Sequence, residues 1–199
     1  MNKNKNKSLI LTIIAIIILF IVTVATSYAA FYYSKVGNEV NKVTTGTITM
    51  SYSENNNGIY LTNASPMNDS VGMALSNNNE YFDFTVASTV SGSTTIDYAI
   101  VGVKDRSSTL PDEGVKVYLT SLDGNGENQV VRPTKVSELK STDTLSYTPN
   151  NQYLIYQNNF RETSAHNYRL RMWVDSDYVL PDESLTYLMR INVYGNMSS

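Results

Sequence analysis

Beyond residue 42 the chain alternates. In "VTTGTITMSYS" (43–53), Ile48, Met50 and Tyr52 are interleaved with Thr and Ser, the period-two pattern of a strand with one buried face. Similar runs follow at "IYLTNA" (59–64), "YFDFTVASTV" (81–90), "TTIDYAIVGV" (94–103), "VKVYLTSL" (115–122), "QVVRP" (129–133), "QYLIYQNNF" (152–160), "YRLRMWVD" (168–175) and "LTYLMRINVYG" (185–195). Thr, Val, Ile and Tyr dominate them, and such side chains pack well on a pleated surface. "ENNNG" (54–58) is a turn-forming cluster that predicts a hairpin between the first two runs. Short strands separated by frequent turns, with almost no helical periodicity, predict an all-β fold: one β-sandwich. A short helix is expected at "TKVSELK" (134–140), with Thr134 as cap and Glu138 in its first turn. The longest connection, "SPMNDSVGMALSNNN" (65–79), has room for another helical turn.

The amino-terminal segment follows a different pattern. "LILTIIAIIILFIVTVATSYAAFYY" (9–33) carries no charge over 25 positions; as a helix it would reach about 37 Å, and about 20 apolar residues cross a bilayer. Lys3, Lys5 and Lys7 place the amino terminus inside the cell and the remainder outside. The expected organisation is a short basic cytoplasmic tail (1–8), a single transmembrane helix or signal segment (9–33), a linker (34–42) and an extracellular β-sandwich domain (43–197). Two fates stay open. Ser27 and Ala29 supply the small residues that a signal peptidase needs before its cut. The apolar run exceeds the usual secretory core, and Tyr28, Phe31, Tyr32 and Tyr33 suit an interfacial belt, which favours an uncleaved anchor.

Charge and composition narrow the partners. Of 15 basic residues the three leading lysines lie before the apolar run, leaving 12 against 18 acids and a net charge of −6 on the exported part. An acidic domain is a poor polyanion binder, so the bilayer is an expected partner and nucleic acid is not. The chain has no cysteine, which removes disulfides, thiolate chemistry and Cys-type zinc sites.

Candidate chemistry is sparse. His166 is the single histidine, so a two-histidine zincin helix or a multi-histidine zinc site is excluded. No G-x-S-x-G elbow occurs either. No catalytic residue, cofactor or enzymatic activity is expected. "LPDE" occurs at 110–113 and 180–183; the first, followed by Gly114, lacks the Thr and apolar tail of a sortase signal and reads as a Pro-Asp turn leading into a strand. "DGNGEN" (123–128) offers Asp123, Asn125 and Glu127 as weak calcium ligands, although Thr134 stands where an EF-hand needs a bidentate acid. The acids Asp175, Asp177, Asp182 and Glu183 in "DSDYVLPDE" (175–183) form a second weak cation candidate or a solvated loop. Alternation places Arg169, Arg171 and Trp173 on one face of a strand, opposite the apolar Leu170, Met172 and Val174. That face is a candidate ligand or partner surface, where guanidinium groups beside an indole would engage a polymer; otherwise Trp173 packs beneath a neighbouring loop or sheet edge.

"TSYAAFYYS" followed by "TTGTITMSYS" and then "YFDFTVASTVSGSTTIDYAIVGV" resembles the TasA/camelysin family of Gram-positive surface and biofilm-matrix proteins over about residues 20–103. The resemblance implies export through a specialised signal peptidase, with Ala29 ending the signal and Ala30 beginning the mature chain. It implies a jelly-roll sandwich whose first strand carries Thr45, Gly46, Ile48 and Met50. It also implies assembly with copies of itself by donation of the extended segment 30–43 to a neighbour's sheet edge. The expected function is a non-catalytic surface structural or interaction protein, anchored in the cell membrane or released into the extracellular matrix. The alternative is a tethered module that binds a cell-wall polymer or carbohydrate.

Overall fold

The computed structural model describes residues 41–45, 48–54, 59–62, 65–77, 80–90, 94–181 and 185–198. The basic tail, the apolar run with Ser27, Ala29 and Ala30, and linker residues 34–40 lie outside the described residues. Among the described residues no helix is long and apolar enough to cross a membrane.

The strands are β1 (Asn41–Thr45), β2 (Ile48–Glu54), β3 (Ile59–Thr62), β4 (Tyr81–Thr89), β5 (Thr95–Lys104), β6 (Val115–Ser121), β7 (Asn128–Lys135), β8 (Lys140–Ser141), β9 (Tyr153–Phe160), β10 (Ser164–Val174) and β11 (Thr186–Ser198). They form two sheets whose strand pairings are all antiparallel. One has six strands in the order β1-β2-β4-β10-β6-β7, the other five in the order β3-β11-β5-β9-β8. The all-β, two-sheet fold expected from the alternation is therefore present.

Burial follows the pleat. Along β4, Phe82, Phe84, Val86 and Ser88 are buried while Tyr81, Asp83, Thr85 and Ala87 are half-exposed. Val115, Val117 and Leu119 of β6 and Tyr168, Leu170, Met172 and Val174 of β10 complete that wall of the core. Ile96, Tyr98 and Ile100 of β5 face them, with Tyr187, Met189, Ile191 and Val193 of β11. Truncating one such side chain to Ala costs about 2–5 kcal/mol in transfer and cavity energy. A smaller cluster lies on the other face of β5, where Leu145, Tyr147 and Leu154 pack on Ala99, Val101 and Tyr194.

Several local expectations need correction. The run 43–53 is two strands, not one: β1 turns back on β2 with Thr45 opposite Ile48. Thr45 thus ends β1 while Ile48 and Met50 belong to β2, and Gly46 lies outside the described residues. Asn41 and Lys42, expected in the linker, already pair with Tyr52 and Ser51. No hairpin joins β2 to β3, because β2 pairs with β1 and β4 while β3 pairs with β11 in the other sheet. The connection after Glu54 therefore crosses between sheets. At 134–140 the only helical turn is a 3-10 turn, Val136–Glu138, and Thr134 is still in β7. The long connection does hold a helical turn, α1 (Asp69–Met73), capped by Asn68, whose side chain accepts from the Val71 amide at 3.0 Å.

Candidate functional site on the outer face of β10

β10 is the middle of the six-stranded sheet, with β4 on one side and β6 on the other. Its inward residues build the core, so Arg169, Arg171, Trp173 and then Asp175 point to the opposite face. Register supplies their neighbours: Arg169 lies opposite Asp83 and Thr120, Arg171 opposite Tyr81 and Tyr118, and Trp173 opposite Lys116. Lys116 in turn lies opposite Lys135 of β7. This is a row of charge and aromatic surface collected from four strands.

Each charged group in the row finds a partner. Arg169 clasps Asp83 through two hydrogen bonds, Nε to Oδ1 at 2.7 Å and Nη2 to Oδ2 at 2.8 Å, the bidentate form of the charge-assisted bond. Its guanidinium lies 3.8 Å from the centre of the Tyr81 ring. The hydrogen bond to Asp83 holds the Arg169 pKa above its ordinary value against the opposing effect of desolvation. Arg171 donates from Nη1 and Nη2 to the two carboxylate oxygens of Glu127, and from Nε to the Leu75 carbonyl at 2.6 Å. Glu127 also accepts from Thr120 at 2.7 Å. The Arg171 bonds, helped by Thr120 and opposed by desolvation, keep the Glu127 carboxyl below its usual range.

At the far end Asp175 is wholly buried, with one carboxylate oxygen 3.1 Å from Lys116 Nζ and the other 3.1 Å from Lys135 Nζ. These contacts are ion pairs outside good hydrogen-bond geometry. Desolvation pushes the Asp175 carboxyl up, but the two lysines outweigh it and the net shift is downward. Lys116 is pulled down by desolvation and raised on balance by Asp69 and Asp175, the former at 2.9 Å.

The row is roofed by the chain itself. Residues 67–75 run across it as a strap: the Met67 amide donates to the Val174 carbonyl at 3.0 Å, Asp69 takes Lys116, and the Leu75 carbonyl takes Arg171. Between these ties Gly72 lies on the indole so closely that an added Cβ would sit 2.3 Å from Cδ2 and Cε2 of Trp173. Trp173 is 0% exposed and Arg171 4%. The indole Nε1 has no hydrogen-bond partner, so the roof over it is a matter of shape.

No protein-family model and no curated protein matches the chain. Among solved structures, a PA14 domain of the MpAFP antifreeze protein is similar at 9% identity with a TM-score of 0.22, covering 81% of this chain and 79% of that one. Likeness at that level carries no argument about function.

The ligand-face expectation is therefore corrected by burial. Arg169, Arg171 and Trp173 do share one face, but Trp173 and Arg171 are under the strap, and packing beneath a neighbouring segment is what the structure shows. The calcium candidates at 123–128 are turned to different partners. Asp123 accepts from the Asn167 backbone amide and side chain at 2.9–3.2 Å, whereas Glu127 turns to Arg171. Asn125 lies at the tip between Gly124 and Gly126, at φ +93° and +114°, which makes this a glycine-shaped turn. Among the described residues no group of three His, Cys, Asp or Glu is disposed to hold a metal. Of the second acidic cluster, Asp175 is spent on its lysines, and Asp182 and Glu183 lie outside the described residues.

Two polar clusters escaped the sequence reading. In the first "LPDE", Asp112 accepts from the hydroxyls of Tyr153 and Tyr187, the latter at 2.9 Å, and from Lys104 Nζ at 2.9 Å. Desolvation pushes the Asp112 carboxyl up and these three donors bring it down further, to a net lowering. The turn motif thus ties down the five-stranded sheet. The second cluster surrounds His166, which lies on β10 and faces the core: its Nδ1 is 2.6 Å from the Tyr98 hydroxyl.

Proposed function

We propose that this chain is a non-catalytic bacterial surface protein of the TasA/camelysin kind, whose jelly-roll-like sandwich acts outside the cell as a structural or interaction unit. The segment 9–33 either holds it in the membrane or is removed after Ala29. One observation carries the non-catalytic part of this reading: the face richest in chemistry, Arg169 to Asp175, is spent on Asp83, Glu127, Lys116, Lys135 and the 67–75 strap. Groups committed in this way stiffen a scaffold and are not poised to turn over a substrate. The export part rests on the uncharged run and its leading lysines. Self-assembly by strand donation is favoured over polymer binding, because the only tryptophan is covered while β1, which includes residues 41–43 of the donor segment, is an edge strand.

Intact mass and amino-terminal sequencing of protein recovered from cells, with electron microscopy of the same fraction, test the reading. A chain starting at Ala30 and found in fibres supports release and assembly. A full-length chain in the membrane fraction supports the anchored form. Recovery of the full-length chain from the cytoplasm would overturn both.

A further inference from the structure

His166 stands on β10 opposite Val86 of β4, with its ring stacked on Phe160 of β9 at a 4.4 Å centroid separation. Its Nδ1 is 2.6 Å from the hydroxyl of Tyr98 on β5. That hydroxyl is 2.5 Å from the hydroxyl of Tyr168 on β10, which accepts from Asn158 Nδ2 of β9 at 3.3 Å. Tyr98 and Tyr168 are 0% and 2% exposed. The four side chains thus form a continuous polar thread from the five-stranded sheet to the six-stranded sheet, within an otherwise apolar core.

The proton count fixes the direction of the thread. An amide nitrogen only donates, and each hydroxyl has one proton. Asn158 therefore donates to Tyr168, Tyr168 to Tyr98, and Tyr98 to Nδ1 of a neutral imidazole that carries its proton on Nε2. An imidazolium has a proton on both nitrogens. Nδ1–H must then donate to Tyr98, which turns its own proton to Tyr168. The Tyr168 oxygen now receives two donors, and its own proton has no further acceptor among the described residues. Asn158 could rescue it only by turning its oxygen inward, and that oxygen already accepts from the Asn159 amide at 2.9 Å. One added proton therefore strands a buried donor or breaks a backbone tie.

We propose that the Asn158–Tyr168–Tyr98–His166 thread is a proton-operated clasp between the two sheets, closed with neutral His166 and opened by a proton at Nδ1. Opening loosens the end of the sandwich where Val90 and the connection 161–163 lie, and where the Val90 amide donates to the Thr163 hydroxyl at 3.0 Å. An exported domain meets whatever acidity its surroundings have, so the clasp makes that end responsive to mild acid. The other groups facing His166 are few. Tyr98 and Tyr168 are neutral phenols whose pKa values burial raises, Phe160 and Val86 are apolar, and the acid Asp123 lies on the β6–β7 loop. Burial lowers the His166 pKa and Asp123 only partly restores it. Because the folded state resists the proton, stability from the clasp is complete above the unfolded value of about 6.5 and is lost as pH falls below it.

The test uses the full-length chain, in which His166 gives the single histidine Cε1–H resonance. The expected result is titration below the ordinary histidine value, with each unit of depression equal to a tenfold change in the unfolding constant. Hydrogen exchange, corrected for its intrinsic pH dependence, should rise in 94–100 and 156–168 between pH 7 and 5, and much less in 115–121. His166→Gln should flatten the pH dependence of the urea midpoint over that interval. An ordinary histidine titration, or a midpoint that follows pH equally in His166→Gln and the parent, overturns the proposal. If His166→Gln does not fold, the resonance and exchange of the parent chain decide the matter alone.

Discussion

Gly72→Ala is the smallest change that tests the strap. The new methyl would lie 2.3 Å from Trp173 Cδ2 and Cε2 and 2.8 Å from Cε3, whereas carbon atoms rest at about 3.5–4.0 Å. Something must move by about 1 Å or more, and the indole is fully buried with little room to yield. The strap moves instead, and it is tied at Met67, Asp69 and Leu75. A partial shift with ties intact is an overpacking strain of about 1–3 kcal/mol. A complete lift would uncover about half of the roughly 150–250 Å² that a buried aromatic hides. At about 25 cal/mol per Å² that is about 2–3 kcal/mol, before the loss of the Arg171 bond. The cheaper route sets the cost, so the variant should be destabilised by about 1–3 kcal/mol.

Trp173 is the only tryptophan, so urea unfolding followed by its fluorescence reads stability and local environment together. The variant should unfold at lower urea, and a lifted strap should add a red shift of the native emission. In a Trp173→Ala background, followed by circular dichroism, Gly72→Ala should cost much less, since the clash partner is gone. A variant with the parent's midpoint and emission, or an equal cost in both backgrounds, would show that Gly72 does not roof the indole.

The remaining predictions concern charge and turns. Asp112, Glu127 and Asp175 are all held below their ordinary carboxyl values, so the stability they lend is complete above about pH 4 and is lost as pH falls through the folded values. Asp175→Asn should flatten part of that acid limb in urea midpoints measured from pH 6 to 2. Asp112→Ala removes the acceptor of two phenols and should cost about 1–3 kcal/mol. Since burial and Asp112 both raise the Tyr153 and Tyr187 pKa values, their ultraviolet titration should move downward in that variant. Gly126→Ala places a Cβ at φ +114° and should destabilise by about 1–2 kcal/mol in thermal unfolding through its own backbone, because no other residue lies within 4 Å of the new atom.

What the sequence made legible is what depends on the nearest neighbours along the chain. Alternation along 169–174 assigned Leu170, Met172 and Val174 to the core face correctly, since a strand's two faces differ by one residue. Alternation does not say what lies over a face. The roof on Trp173 comes from Gly72, and Leu75 reaches Arg171 from 96 residues away; no periodicity links those positions. The split of 43–53 did have a local signal, the glycine in "TTGTIT", because Gly-X is the chemistry of a two-residue hairpin turn. Continuous alternation around it outweighed that signal. "ENNNG" was chemically a turn, but turn chemistry does not decide whether the chain returns to the same sheet or crosses to the other. The setting of His166 was not legible because a lone histidine has no pattern of its own, and its partner Tyr98 comes from the other sheet.

Strand donation makes a sharper demand on this fold than the sequence suggested. Three of the four described sheet edges offer little: β8 has two residues, β3 has four, and β7 contains Pro133 between Arg132 and Lys135. β1 remains, but Asn41, Lys42 and Val43 of the donor segment already pair with Tyr52, Ser51 and Met50 of the same chain. A chain that donates 30–43 must first give up its own β1–β2 pairing, so assembly becomes an exchange of β1 between copies. Locking that pair should therefore block it. With no native cysteine to interfere, Val43→Cys with Met50→Cys places two thiols on residues directly opposite each other, within the reach of a disulfide. Oxidised protein should stay monomeric in sedimentation under conditions where the reduced form assembles, and added reductant should restore assembly. Equal assembly of the oxidised and reduced forms would refute exchange of β1 and remove the structural ground for a donated strand.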